Sequence, residues 1–146
     1  MRQLAGRRSV ALDAGVFAAY LAAEPRRGPL GLALFEHVER GRLRAVTSVV
    51  TMMDLLDGPL RRRDSEAASE LAFLLPTFPN LELVPLTLQI AERASQYRAS
   101  HGVSDAGAIQ AATARVSGVD ALLATEPALR AFAGELEVVM LDDFLA

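Results

Sequence analysis

The sequence predicts an α/β fold: a mainly parallel sheet of about four to five strands flanked by helices. Three observations carry that expectation. Short apolar runs alternate with longer segments of helical periodicity along the chain. These runs are apolar at nearly every position, as strands covered on both faces require. The 146 residues, 51% hydrophobic, suffice to fill one core and not two full domains, so residues 1–146 read as a single domain.

Residues 8–13 (RSVALD) form the first strand candidate and close on Asp13; AGVFAAYLAA, which follows, is rich in helix formers. Pro25 to Pro29 break the pattern, after which Leu30, Ala33, Leu34 and Val38 recur at helical spacing up to Gly41. Residues 43–46 (LRAV) are a brief strand. Thr47 and Ser48 then offer hydroxyl caps to a helix carrying Met52, Met53, Leu55 and Leu56, which Gly58-Pro59 is expected to interrupt. A further helix starts at Leu60, places Ala67, Ala68, Leu71, Leu74 and Leu75 on one face, and ends at Pro76. The second half repeats the alternation. Residues 81–84 (LELV) are a strand, Ile90, Ala91, Ala94 and Tyr97 stripe a helix that stops near Gly102, and another helix runs from Ser104 to about Ser117 with Ala108, Ile109, Ala112 and Val116 buried. DALLA (120–124) is a strand, Pro127 to Phe132 a short helix, and Glu137 to Leu141 the last strand.

Composition excludes several classes of function. No cysteine is present, which removes disulfides, thiolate zinc sites and cysteine nucleophiles. There is no G-x-G-x-x-G after a strand, and a chain without lysine has no P-loop, so no nucleotide cofactor is expected. GVSDAG (102–107) has Ala106 where a serine elbow needs glycine. His37 and His101 lie on different helices without an H-E-x-x-H pattern, and His101 suits a favourable contact with a helix C-terminus. Aromatic content of 5% with no Trp argues against a base-stacking platform. No apolar run reaches the roughly 18–20 residues of a membrane span, and no signal-peptide core follows Met1 to Arg8; a cytoplasmic location is expected. All 15 basic residues are arginine, which suits phosphate contacts and is equally expected of GC-rich coding. Residues 1–63 carry 11 arginines against 6 acids and residues 64–146 carry 4 against 12, so the net −3 hides a bipolar chain.

In open parallel sheets ligands bind beyond the carboxyl ends of the strands, which directs attention to the acids there. Asp13 ends an apolar strand, where a carboxylate must cap the next helix, pair, or bind a cation. Asp54 sits in the helix after the second strand and either faces solvent or points into the same crevice; Asp57 shares that ambiguity. Thr125 and Glu126 end the fourth strand. Two or three carboxylates converging at this edge would make an oxygen-ligand site for magnesium or manganese.

At these residues the sequence resembles PIN domains, most closely the VapC-type toxin ribonucleases. VALDAGVFAAYL (10–21) is similar to the family's opening strand, acid and helix, and AVTSVVTMMDLLDGPLRRRD (45–64) resembles its Thr-Ser segment with an acid in the helix. HGVSDAGAIQAATA (101–114) resembles the third acidic motif, and LLATEPALRAF (122–132) with LEVVMLDDF (136–144) the fourth motif and closing strand. The resemblance implies a Rossmann-like sheet with acids around Mg2+ or Mn2+ that activate water to cut RNA. Asp13 then matches the first acid and Asp54 the second, where glutamate is usual. The third falls on Gly107 and the fourth on Pro127, so two acids are missing. Thr125 is retained, with Thr47 and Ser48 as supporting hydroxyls, and Glu126 is the candidate to compensate. Asp105, offset from Gly107 by about 200° around the helix, instead complements the helix N-terminus.

Two functions follow from the resemblance. One is a PIN-fold protein with an incomplete metal site and weak or absent nuclease activity, acting through RNA, an antitoxin-like polypeptide or self-association as a homodimer. The other is a working Mg/Mn-dependent endoribonuclease using Asp13, Asp54 and Glu126. Arg61, Arg62 and Arg63, with Arg40, Arg42 and Arg44, are the candidate RNA-phosphate contacts.

Overall fold

Five strands, β1 (Ser9–Leu12), β2 (Arg44–Ser48), β3 (Leu81–Val84), β4 (Ala121–Ala124) and β5 (Val138–Met140), make one sheet in the computed structural model, which describes residues 2–145. The order is β3-β2-β1-β4-β5 and every neighbouring pair is parallel, as the alternating sequence pattern predicts. The helices are α1 (Ala14–Leu21), α2 (Gly28–Glu39), α3 (Val50–Arg61), α4 (Ser65–Thr77), α5 (Leu88–His101) and α6 (Asp105–Ser117), and Pro127–Phe132 is a 3-10 turn.

Strand alternation divides the core between two faces. Val10, Leu12, Ala45 and Leu123 pack with Val16 and Phe17 of α1, Leu34 and Phe35 of α2, and Leu71 and Leu75 of α4. Ala11, Val46, Leu122 and Ala124 point the other way, onto Ile90, Ala94 and Tyr97 of α5 and Ala108, Ala111 and Ala112 of α6. With apolar side chains on both faces, each central-strand Leu or Val taken out of water stabilises the fold by about 1.5–3 kcal/mol. The alanines let α6 lie close against β1 and β2.

Four boundaries and one face differ from the sequence reading. Helix α2 begins at Gly28, because Pro29 in the first turn needs no amide partner. Strand β2 extends through Thr47 and Ser48, which pair with Leu83 and Val84 of β3. Thr47 is therefore a strand residue and caps nothing, whereas the Ser48 hydroxyl does accept the Val50 amide at 3.2 Å. Gly58-Pro59 does not interrupt α3; the helix runs through it to Arg61. The break comes at Arg62–Asp64, where Arg63 takes a left-handed φ of 57° and the Asp64 carboxylate caps α4 at Ala67 N, 3.0 Å away. Helix α4 includes Pro76 and runs one residue beyond it, to Thr77. Leu74, expected on the buried face of α4, is 40% exposed.

Pro59 lacks the N–H that would bond to the Leu55 carbonyl, a loss the packing of α3 against α4 and the sheet outweighs. Pro59→Ala restores that donor and is expected to stabilise the protein by about 1–2 kcal/mol. A urea titration that finds an unchanged or lower midpoint would show instead that the ring is needed for packing.

Candidate functional site

The chain builds outward from β1 through β2 to β3 and then crosses back to add β4 and β5 on the other side of β1, so the carboxyl ends of β1 and β4 flank the topological switch point of the sheet. A cavity of about 100 Å3 opens there, lined by Asp13, Gly15, Asp54, Gly107, Gln110, Thr125, Glu126 and their neighbours. The three acids singled out in the sequence thus reach one crevice. They do so in different states.

Asp13 is 6% exposed. One carboxylate oxygen caps α1 by accepting the Val16 amide at 3.1 Å, and the other accepts the Thr125 amide at 2.6 Å. The Thr125 hydroxyl lies 3.0 and 3.1 Å from the two oxygens. The side chain therefore caps a helix and ties the ends of two parallel strands at once. Gly15 makes this possible: a Cβ there would fall on the Thr125 hydroxyl and within 2.8 Å of Thr125 Cβ.

Asp54, on the exposed side of α3, makes no hydrogen bond or ion pair among the described residues and looks both into the crevice and into a groove bounded by α1 and α4. Partial burial, and then the negative charge of Asp57, raise its pKa above the ordinary carboxylate range. Asp57 is itself held by Arg61, whose Nε lies 2.9 Å from its oxygens.

Glu126 is fixed by α6. The Ser104 hydroxyl, which accepts the Gly107 amide at 3.0 Å as the helix cap, lies 3.0 and 3.2 Å from the Glu126 oxygens as their donor. A Cβ on Gly107 would stand 3.0 Å from Glu126 Oε2, so the glutamate carboxylate fills the space into which a side chain at 107 would grow. Asp105 points elsewhere and pairs with Arg98 at 2.9 Å. Pro127 opens the 3-10 turn, exposed, and offers no ligand.

Sequence reasoning missed Thr51 and Gln110. Gln110 is 2% exposed, lines the crevice, and donates to the Thr51 hydroxyl at 2.6 Å. The available signal was a lone amide inside the small apolar run AIQAATA. The arginine candidates are split. Arg61, Arg62 and Arg63 are exposed at the end of α3, with Arg62 lining the same groove as Asp54. Arg40, Arg42 and Arg44 precede or begin β2, at the opposite end of the sheet from the crevice, and Arg44 pairs with Glu82 at 3.1 Å.

The PIN domain profile matches residues 10–135. The chain belongs to the PIN domain family. Comparison with curated proteins returns no match. Among solved structures it shares its fold with the VapC20 toxin of Mycobacterium tuberculosis, described as cleaving the sarcin-ricin loop, at 21% identity over 87% of this chain and 95% of that one, with a TM-score of 0.66. VapBC of Salmonella typhimurium bound to DNA gives 20% identity, 92% and 98% coverage and a TM-score of 0.64. FitAB bound to a DNA fragment gives 18%, 90% and 94%, and 0.69.

Toxin-type nucleases of the PIN domain family generally depend on a divalent metal ion. Asp13, Asp54 and Glu126 offer the hard carboxylate oxygens such an ion takes, and among the described residues no three His, Cys, Asp or Glu side chains stand, as placed, close enough to hold one. Asp13 already accepts three hydrogens and Glu126 is tied to Ser104, leaving Asp54 as the uncommitted carboxylate. What the arrangement offers is a small acidic crevice that attracts cationic groups. No described helix is long and apolar enough to cross a membrane.

Asp13 and Asp54 should therefore respond oppositely to the same change. Asp13→Asn replaces an acceptor by a donor facing the Thr125 amide and is expected to cost about 2–3 kcal/mol. Asp54→Asn removes a charge whose folded pKa is raised, so the folded carboxyl holds its proton more tightly than the unfolded one. The wild type consequently loses stability relative to this variant as pH rises from below the unfolded pKa through the folded one, and the two converge at low pH. Thermal melts of both variants from pH 3 to 8 check this; a destabilised Asp54→Asn at pH 7 would contradict it.

Proposed function

We propose that this PIN domain is a toxin-type protein whose acid crevice is incomplete, whose nuclease activity is weak or absent, and which acts by binding a polypeptide partner of antitoxin type. The observation that supports the reading most directly is at Gly107: the position carries no acid, and the Glu126 carboxylate lies in its place, bonded to Ser104. Pro127 likewise supplies none. Binding of Mg2+ or Mn2+ would then be loose, since one or two carboxylates that keep their structural hydrogen bonds offer few free oxygens.

The partner surface is the groove of about 540 Å3 between α1, α3 and α4. Leu21, Leu55, Pro59, Leu71 and Leu74 line it, and Asp54 and Glu70 against Arg62 leave it with a net negative charge. An amphipathic segment with apolar anchors and a basic residue complements that surface. Structural neighbours described as a toxin–antitoxin complex and as a member of a toxin–antitoxin family support a polypeptide as the occupant. RNA is the weaker candidate ligand, because the Arg61–Asp57 pair offsets one charge of the arginine run and Arg40, Arg42 and Arg44 lie at the other end of the sheet.

A second reading, an active endoribonuclease using Asp13, Asp54 and Glu126 with Mg2+ or Mn2+, is favoured by the convergence of all three acids on one crevice at the switch point. One experiment separates them. Mn2+ is titrated calorimetrically into the wild type, Asp54→Asn and Glu126→Gln, alongside cleavage assays on a structured RNA. Asp54 and Glu126 are better probes than Asp13, whose loss disturbs the fold. Weak or no heat and no cleavage are expected. Tight binding and cleavage that both variants abolish would establish the enzyme instead. For the partner, small open reading frames adjoining the gene are co-expressed with this chain, and Leu74→Arg on the exposed groove wall should abolish co-elution of the polypeptide that binds; no binding polypeptide, or co-elution that survives the change, would overturn this placement.

A further inference from the structure

Thr47, Ser48, Thr51 and Gln110 are each no more than 2% exposed and belong to one hydrogen-bonded chain. Gln110 Nε2 lies 2.6 Å from Thr51 Oγ1, which is 2.7 Å from Thr47 Oγ1, which is 2.7 Å from the Leu12 carbonyl. Gln110 Oε1 accepts the Ser48 amide at 3.3 Å. The direction of this relay follows from the groups themselves. A carbonyl only accepts, so Thr47 gives its hydroxyl hydrogen to Leu12. Thr51 must then donate to Thr47, which leaves the Thr51 oxygen to accept from Gln110. The Ser48 N–H, an obligatory donor, faces the amide oxygen and fixes which way round the Gln110 amide stands.

We propose that Gln110 is the positioning residue of the crevice, setting where Asp13 and Asp54 stand relative to α6 through this one-way relay. The inference rests on reading the crevice as the working end of the molecule. Both ends of the relay and its middle adjoin crevice residues: Leu12 precedes Asp13, Thr51 lies one helical turn before Asp54, and Gln110 lies one turn beyond Gly107 and itself lines the cavity. Three of the elements that bring side chains to the crevice, β1, α3 and α6, are thus tied by their buried faces. An apolar residue at 110 would strand the Ser48 amide without an acceptor. An anionic one would draw the Thr51 hydroxyl toward itself and take from Thr47 the hydrogen it accepts.

The test uses the full chain without metal, RNA or partner, so its failure is distinguishable from failure of the proposed function. The Val16 and Thr125 amides, both bonded to Asp13, serve as NMR reporters of its seat. In the wild type one Gln110 side-chain N–H is expected to resist exchange in D2O. Gln110→Leu should lower the melting temperature by about 3–10 °C and shift both reporters. Thr113→Val is the control: it removes a buried hydroxyl of the same helix that bonds only to the Ile109 carbonyl, and should leave the reporters in place. In Gln110→Glu the new carboxyl would be buried and would face Asp13 at the end of β1, Asp54 from α3 and Glu126 at the end of β4, while Thr47 and Ser48 of β2 bring no charge. Burial beside these carboxylates is expected to raise its pKa, and its neutral form can donate to Thr51 while accepting from Ser48. The reporters should therefore return to their wild-type positions as pH falls through that pKa and depart again as it rises. A lower melting temperature in Gln110→Leu with unmoved Val16 and Thr125 signals would overturn the proposal, as would rapid exchange of the Gln110 amide. Should Gln110→Leu fail to fold, the pH titration of Gln110→Glu decides alone.

Discussion

The carboxylate of Asp13 is the contact on which the crevice end of this molecule depends. The backbone ladder between β1 and β4 runs as far as the Asp13 amide, which donates to the Leu123 carbonyl at 3.2 Å, and beyond it the side chain of Asp13 takes over. It does so by accepting the Thr125 amide and hydroxyl while it caps α1. A buried carboxylate is costly unless its oxygens are filled, and charge-assisted bonds of this kind are roughly twice as strong as neutral ones. The requirement then spreads. Thr125 needs the space above Gly15, and Gly15 needs to lie in the first turn of α1, directly after the strand.

Oxygens used in this way are not free for other chemistry. Glu126 repeats the situation at the other wall, where its carboxylate satisfies the Ser104 hydroxyl over a glycine. Two of the crevice's three acids are therefore held by hydrogen bonds that the fold itself supplies. Asp54 is held by none, and its raised pKa is the mark of a carboxylate that burial and Asp57 penalise without compensation. Uncompensated charge at a switch point is the kind of local cost that a cationic group placed beside it would relieve, and the groove next to it is lined largely by apolar side chains.

The sheet was legible in the sequence because each strand is a short apolar run and both faces are covered, so Val10, Ala11 and Leu12 could be read together as one buried strand. The acids at strand ends were legible for the same topological reason. The errors arose where tertiary context overrides a local rule. Pro59 reads as a break, yet a helix packed along its length tolerates one missing bond, and the true break is the left-handed Arg63. Thr47 reads as a cap, yet its hydroxyl is turned inward to Leu12. Where the Glu126 side chain would lie was not legible at all, since a rotamer set by Ser104, twenty-two residues earlier, leaves no trace in spacing.

The same limit explains Gln110. In a helix whose other inward residues are glycine, alanines and Thr113, a glutamine looks like a surface residue out of phase. The small neighbours are what bring α6 close enough for an amide to reach across to Thr51 and Ser48, both ends satisfied. A larger side chain at Ala111 or Ala112 would push the helix off the sheet and lengthen both bonds past the distance at which they hold. Close packing and buried polarity are here one requirement: the alanines set the separation, and the glutamine exploits it. A buried network that is fully satisfied specifies a single arrangement, whereas a half-satisfied one is worse than an apolar core. The alanine face of α6 and the glutamine within it are therefore best regarded as a single device, which holds the ends of β1, β2 and α3 in register behind the acid crevice.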